Sequence, residues 1–256
     1  MKLYAIREVS EITGIKPVTL RAWQRRYGLI QPQRKESGHR LYTEENIEKI
    51  KLIQRWLAKG IAIGKVKALI ESGEDIGSSP DSAVLTESED LLIALSALNR
   101  GRAESVVSTV LKEYPLNIVM EQFFYPVLES LERVKASQRS LQKALLQSLM
   151  ISKATSILEA ENRAFKKLKA LVINLDETGS LPAWMSAIEL SDRGYSISFL
   201  DGVDDISGLT EMTDISRYDL IYLFSNSGLP AKTEQSILAL RAKTEVDIET
   251  SALVNA

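Results

Sequence analysis

The chain has 256 residues, of which 45% are hydrophobic and 26% charged, and it contains no cysteine. This is the composition of an ordinary globular protein with material for two or three domains. It excludes disulfides and thiolate metal sites, and without an apolar run of roughly eighteen residues it excludes a membrane-spanning helix. The net charge of −2 hides a split: residues 1–75 carry 15 Lys and Arg against 9 Asp and Glu, and the remainder carries 17 against 25. That asymmetry suggests a basic nucleic-acid module joined to an acidic body.

In chain order, Ile6, Val9 and Ile12 or Thr13 share one helical face, and Gly14 ends that helix. A short link through Ile15 and Lys16 leads to a second helix over 17–27. Pro17 suits its first position, and Leu20, Trp23 and Tyr27 form a buried stripe. Val18, Thr19, Arg21, Ala22 and Arg25 lie off that stripe and are mostly short or cationic, which suits a helix pressed into a major groove and, equally, a basic amphipathic helix on the surface. Two short helices about a Gly turn have helix-turn-helix spacing, which any αα-hairpin shares. Two extended pieces then flank Glu36-Ser37-Gly38, with Arg34, Lys35, His39 and Arg40 around the turn. This is either a wing along phosphates or a solvated charged loop. Thr43 reads as the N-cap of a helix through Ile47, Ile50 and Leu57, and a shorter helix through Ile63, Val66 and Ile70 ends at Gly73.

Tyr4-Ala5-Ile6-Arg7-Glu8-Val9, Thr19-Leu20-Arg21-Ala22-Trp23, Tyr27-Gly28-Leu29-Ile30-Gln31-Pro32 and Gly38-His39-Arg40-Leu41-Tyr42-Thr43 together resemble the MerR-type winged helix-turn-helix transcription regulators. The resemblance covers residues 1–72. Ala22-Trp23-Gln24-Arg25-Arg26-Tyr27 is most similar to the branch whose second half resembles a cobalamin-binding domain, a branch that includes enterobacterial activators of curli and biofilm genes. The resemblance implies a DNA-binding set of Pro17, Val18, Thr19, Arg21, Ala22, Trp23, Arg25 and Arg26 from the helix. From the wing it adds Arg34, Lys35, His39, Arg40 and Tyr42. His39 is the sole histidine, so a metal role is not expected for it. Lys16 departs from the small polar residue the family often has at the helix start.

Residues 73–85, rich in Gly, Ser and acid, read as a flexible linker on which the DNA module can pivot. Residues 86–163 read as four amphipathic helices over 87–99, 103–114, 117–134 and 140–161. They imply a four-helix bundle whose role is an effector pocket or, more plainly, packing and dimer contact.

From 164 to 256 the period changes. Leu168–Leu175 is a continuous apolar run, as in a buried parallel strand. Strands over 195–200, 218–224 and 244–248 alternate with helices over 181–193, 204–215 and 230–242, which implies a Rossmann-like doubly wound sheet. The fold class expected is therefore multi-domain, mainly α and then α/β. A helical bundle followed by such a unit resembles the cobalamin-binding half of light-sensing MerR-type repressors, where a Glu-x-His-x-x-Gly loop supplies the cobalt ligand. The matching loop here, Asp176–Pro182, has no histidine, and Gly179 falls at the ligand position. Arg133 and Lys143-Ala144 stand where the family has a Trp and a Glu-His pair, and the late Gly-Gly is missing. No cobalamin and no metal are therefore expected. Asp176 and Glu177 lie where phosphoacceptor domains hold Mg²⁺, but no Asp follows the third strand, so phosphotransfer is not expected. A small ligand or protein partner near Ser225, Asn226 and Ser227 stays open.

No cysteine, no second histidine and no Gly-rich phosphate loop support catalysis. The reading is a sequence-specific, dimeric DNA-binding transcription regulator. The resemblance makes it an activator that distorts double-stranded promoter DNA so that RNA polymerase engages it. The alternatives are a protein-interaction regulator of antirepressor type working through residues 86–256, and a sensor of an unidentified small ligand. With no membrane segment and no apolar signal core at Met1–Glu8, a cytoplasmic, nucleoid-associated protein is expected.

Overall fold

The structure is a computed structural model and describes residues 2–34, 40–73, 84–163 and 168–251. They form two compact units, Met1–Leu145 and Leu146–Ala256. The architecture is mainly helical with one parallel sheet of four strands, α and then α/β in chain order.

The first unit opens with β1 (Tyr4–Ala5), α1 (Ile6–Thr13), α2 (Pro17–Tyr27), β2 (Gln33–Arg34), β3 (Arg40–Tyr42), α3 (Glu44–Ala58) and α4 (Ile63–Ser72). Gly14 at φ +71° and Gly28 at φ +60° end α1 and α2 in left-handed caps. Thr43 starts α3 with a reciprocal cap: its hydroxyl accepts from the Asn46 backbone N–H, and Asn46 Oδ1 accepts from its own. The three strands are antiparallel in the order β1-β3-β2, with Tyr4 opposite Tyr42. Val9, Ile15, Leu20, Trp23, Leu29, Ile30, Ile50 and Trp56 fill the space between sheet and helices.

The unit continues through α5 (Glu87–Ser96), α6 (Arg100–Glu113), α7 (Leu116–Val119), α8 (Tyr125–Glu132) and the start of α9 (Ala136–Asn162). Where one helix over 117–134 is expected, α7 and α8 are joined by a π turn at Met120–Phe124. Pro126 is the cause. It has no N–H for the carbonyl four residues back, so the Gln122 carbonyl is free and accepts from Leu85 N at 2.7 Å. The Gln122 side chain points the other way and donates to the carbonyls of Leu57 and Ala58 at the end of α3.

Those bonds correct the expectation of a freely pivoting DNA module. Gln122 reaches α3, the Tyr114 hydroxyl accepts from Ile63 N at 3.3 Å, and Trp23 Nε1 donates to the Glu113 carbonyl at 2.7 Å. The helix-turn-helix and the helices after it are one compact unit. The proposed tether lies almost wholly in 74–83, outside the described residues. The boundary between units falls inside α9, between Leu145 and Leu146.

The second unit adds β4 (Leu168–Asn174), α10 (Leu181–Asp192), β5 (Tyr195–Leu200), β6 (Leu220–Phe224), α11 (Ala231–Lys243) and β7 (Asp247–Thr250). All pairings are parallel, in the order β5-β4-β6-β7. Leu171, Ile173, Ile221 and Leu223 point from the sheet into a core closed by Ile237 and Leu240 of α11. The helix expected across 204–215 is instead two 3₁₀ pieces, Ser207–Glu211 and Ile215–Arg217. Leu209 and Ile215 both point into that core. Six residues along an α-helix would turn them about 120° apart. On the edge strand, the Asn162 side-chain amide both donates to and accepts from the Ile197 backbone, tying the end of α9 to β5.

Gly202, at φ +70°, turns the chain after β5 where a Cβ would collide with the Thr178 hydroxyl. Gly202→Ala is expected to cost about 1–3 kcal/mol, read as a lower urea midpoint for the second unit.

Candidate nucleic-acid interface

On α2, burial separates two faces. Thr19, Leu20, Ala22 and Trp23 are buried, whereas Val18 is 44% exposed and Arg25 and Arg26 are exposed. Val18, Arg21 and Arg25 follow at intervals of three and four and form one outward stripe, with Gln24 beside it. β3 adds a further cation to this stripe, because Arg40 Nε donates to Gln24 Oε1 at 2.7 Å. Gln24 thus fixes a guanidinium next to the outward face of α2, a role the sequence reading missed. Its signal was a lone neutral polar residue between Arg21 and Arg25 on the cationic side.

The expected site residues divide accordingly. Val18, Arg21, Arg25, Arg26 and Arg40 are at least partly exposed on or beside α2, and Pro17 is half-buried at its start. Thr19, Ala22, Trp23 and Tyr42 differ from the rest of that set: their side chains pack in the core, and the most exposed of them, Ala22, is 9% exposed. Trp23 is sealed because its indole N–H is spent on Glu113. Tyr42 is the inward residue of β3, and its hydroxyl meets no hydrogen-bond partner among the described residues. Burial raises its phenol pKa against the lowering influence of Arg40 and Arg21. Lys35 and His39 lie outside the described residues, as does the Arg34 side chain.

Behind α2 sits a second polar cluster. The Glu113 carboxylate is 2% exposed and pairs with Arg26 Nη1 through Oε1, while Oε2 accepts from the Tyr27 hydroxyl. Burial, reinforced by that carboxylate, pushes the Tyr27 phenol far above its usual value, so it stays a donor. Nearby, Tyr114 donates to Glu87 Oε1 at 2.9 Å. Burial and the Glu87 charge likewise hold the Tyr114 phenol protonated.

In the second unit, the carboxyl ends of β4 and β6 meet at the switch point of the sheet, where α/β folds place ligands. Here the polar groups bond to one another. Asp176 accepts from the Ser225 hydroxyl and Asn226 N, and Asn174 donates to Asp201 and to the Glu177 carbonyl. Gly179 donates to Asp201 Oδ2 at 3.0 Å, and its carbonyl accepts from Gln147 Nε2 at 2.8 Å. Gly179 has φ +86°, and a Cβ there would run into the Gln147 amide. Among the described residues no three His, Cys, Asp or Glu are grouped as metal ligands, and no helix is long and apolar enough to cross a membrane.

The family model described as MerR HTH family regulatory protein matches residues 4–73. The chain is 33% identical over 202 residues to the HTH-type transcriptional regulator MlrA of Escherichia coli K12, covering 78% of this chain and 80% of that protein. It is 25% identical over 211 residues to the HTH-type transcriptional repressor CarH of Myxococcus xanthus, covering 78% and 71%. Over 70 residues it is 27% identical to the regulator CueR of Vibrio cholerae, 27% of this chain and 50% of that one.

Arg25→Ala should weaken DNA binding on all sequences and flatten the slope of log affinity against log salt by about 1. Thr19→Ala, by contrast, should cost roughly 1 kcal/mol of folding stability. A filter-binding salt series and urea melts of both variants separate the two roles.

Proposed function

The chain belongs to the MerR family of helix-turn-helix transcription regulators, and on that premise we propose that it is a promoter-distorting activator. The observation that carries DNA reading is the outward stripe of α2, Val18, Arg21 and Arg25, with Arg40 fixed beside it by Gln24. Arg guanidinium groups matched to guanine edges or phosphates, with a short apolar residue among them, form a major-groove reader. In this reading the antiparallel pair β2 and β3 is the stem of the wing, and Arg40 on β3 is its cation beside the groove. Of the helical bundle expected over 86–163, α5 packs against α6 and α8 within the first unit.

The protein acts as a homodimer on a two-fold related site within double-stranded promoter DNA. Two modules of this size bound together gain an effective-concentration advantage that one lacks. RNA polymerase is the partner that benefits when the duplex is bent and untwisted. Its place is the cytoplasm, at the nucleoid. The relatives compared above are named as transcription regulators, and the protein is a regulator rather than an enzyme.

The second unit takes no cobalamin in this reading. Its support is the loop after β4: Gly179 offers no donor, both its backbone groups are engaged, and Gln147 fills the space a side chain would need. The residues present do not fit the group.

The full chain should protect a two-fold related element within a promoter and raise the transcript from it in a purified transcription reaction. Protection of a single unpaired half-site, or repression of every bound promoter, would contradict the proposal. After incubation with cobalamin and gel filtration, the protein peak should be colourless; a coloured complex would overturn the claim about the second unit.

A further inference from the structure

We propose that Glu113 is a positioning residue for DNA reading. One residue of α6 fixes the last turn of α2 through Trp23, Arg26 and Tyr27. The proposal rests on the DNA-binding reading above and names a residue outside the DNA module that sets its geometry.

Each acceptor of Glu113 takes a different donor from α2: the carbonyl takes Trp23 Nε1, Oε1 takes Arg26 Nη1 and Oε2 takes the Tyr27 hydroxyl. These three donors span the final turn, directly after Arg21 and alongside Arg25. Two effects disfavour a carboxylate in this place. It is almost out of water, and it ends a helix, where the dipole favours cations. An apolar side chain would serve packing alone as well or better. What the carboxylate adds is direction, because it accepts only from donors at two defined positions. Arg26 keeps a free side: its side chain is 55% exposed, and one of its five donors is used on Glu113. Glu113 therefore orients the guanidinium without burying it.

Simple electrostatics predicts the opposite sign. Removing a negative charge near a DNA-binding face should tighten binding to every duplex. Positioning predicts weaker binding to the preferred duplex alone. The test uses the full chain and a duplex selected from a random library with the unaltered protein, against a scrambled duplex of the same composition. Glu113→Gln should bind the selected duplex about tenfold more weakly and the scrambled duplex equally or more tightly. Hydrogen exchange, measured without DNA, should quicken at the last turn of α2 and stay unchanged in α3. Tyr27→Phe, which removes one hydroxyl, should show the same pattern with a roughly threefold loss. It carries the test if Glu113→Gln does not fold. If Glu113→Gln binds the selected duplex as tightly as the unaltered chain, with α2 protection unchanged, the positioning role is refuted. If the unaltered chain selects no duplex, DNA reading itself fails, and the exchange comparison still decides whether Glu113 fixes α2.

Discussion

A buried carboxylate at the C-terminal end of a helix is opposed by desolvation and by the helix dipole together. The first unit is arranged around that conflict at Glu113. Arg26 supplies the compensating charge, Tyr27 the second hydrogen bond, and Trp23 caps the carbonyl that the end of α6 leaves open. Because all three come from α2, the solution to a local electrostatic problem in α6 also fixes the DNA-reading helix. Tyr114, the next residue, extends the arrangement to Glu87 in α5 and Ile63 in α4. The unit is therefore joined across its sequence modules by directional bonds as well as by apolar packing.

What was legible in the sequence follows the range of the interactions. Helix ends set by Gly14 and Gly28, the Thr43 cap and the buried stripe of Leu20 and Trp23 depend on neighbours a few residues away, and each is readable from spacing. In the second unit β4 and β6 were readable from their apolar runs, whereas β7, Asp-Ile-Glu-Thr, carries no such run and starts three residues after the position expected for it. Burial of Thr19 and Ala22, and the use of the Trp23 N–H, depend on how the core closes and on α6 some ninety residues on, and no local pattern encodes them. The sequence correctly placed an apolar stripe on α2 but did not reveal how wide it is. The 3₁₀ pieces near Leu209 were hidden for a related reason: Leu209 and Ile215 must meet the same sheet core, and that demand overrides helical continuity.

The second unit preserves a ligand-binding topology while spending its polar groups internally. Asp176, Asn174 and Asp201 at the strand ends are each bonded to neighbouring loops, and Gln147 from α9 closes on Gly179. Such a crevice holds its loops in place much as a ligand would. The parallel sheet by itself therefore implies no particular ligand, since fold alone does not dictate chemistry.

The π turn at Met120–Phe124 has a consequence for how this protein can change over evolutionary time. Pro126 frees the Gln122 carbonyl for Leu85, and the Gln122 amide reaches the carbonyls of Leu57 and Ala58. On the far side of each bond lies main chain, which every amino acid possesses. The side chains at 57, 58 and 85 can therefore drift as far as packing allows while the joint persists. Positions 122 and 126 have no such latitude. A lineage could remodel its promoter preference on the outward face of α2 and leave the joint intact, provided the glutamine and the proline stay together.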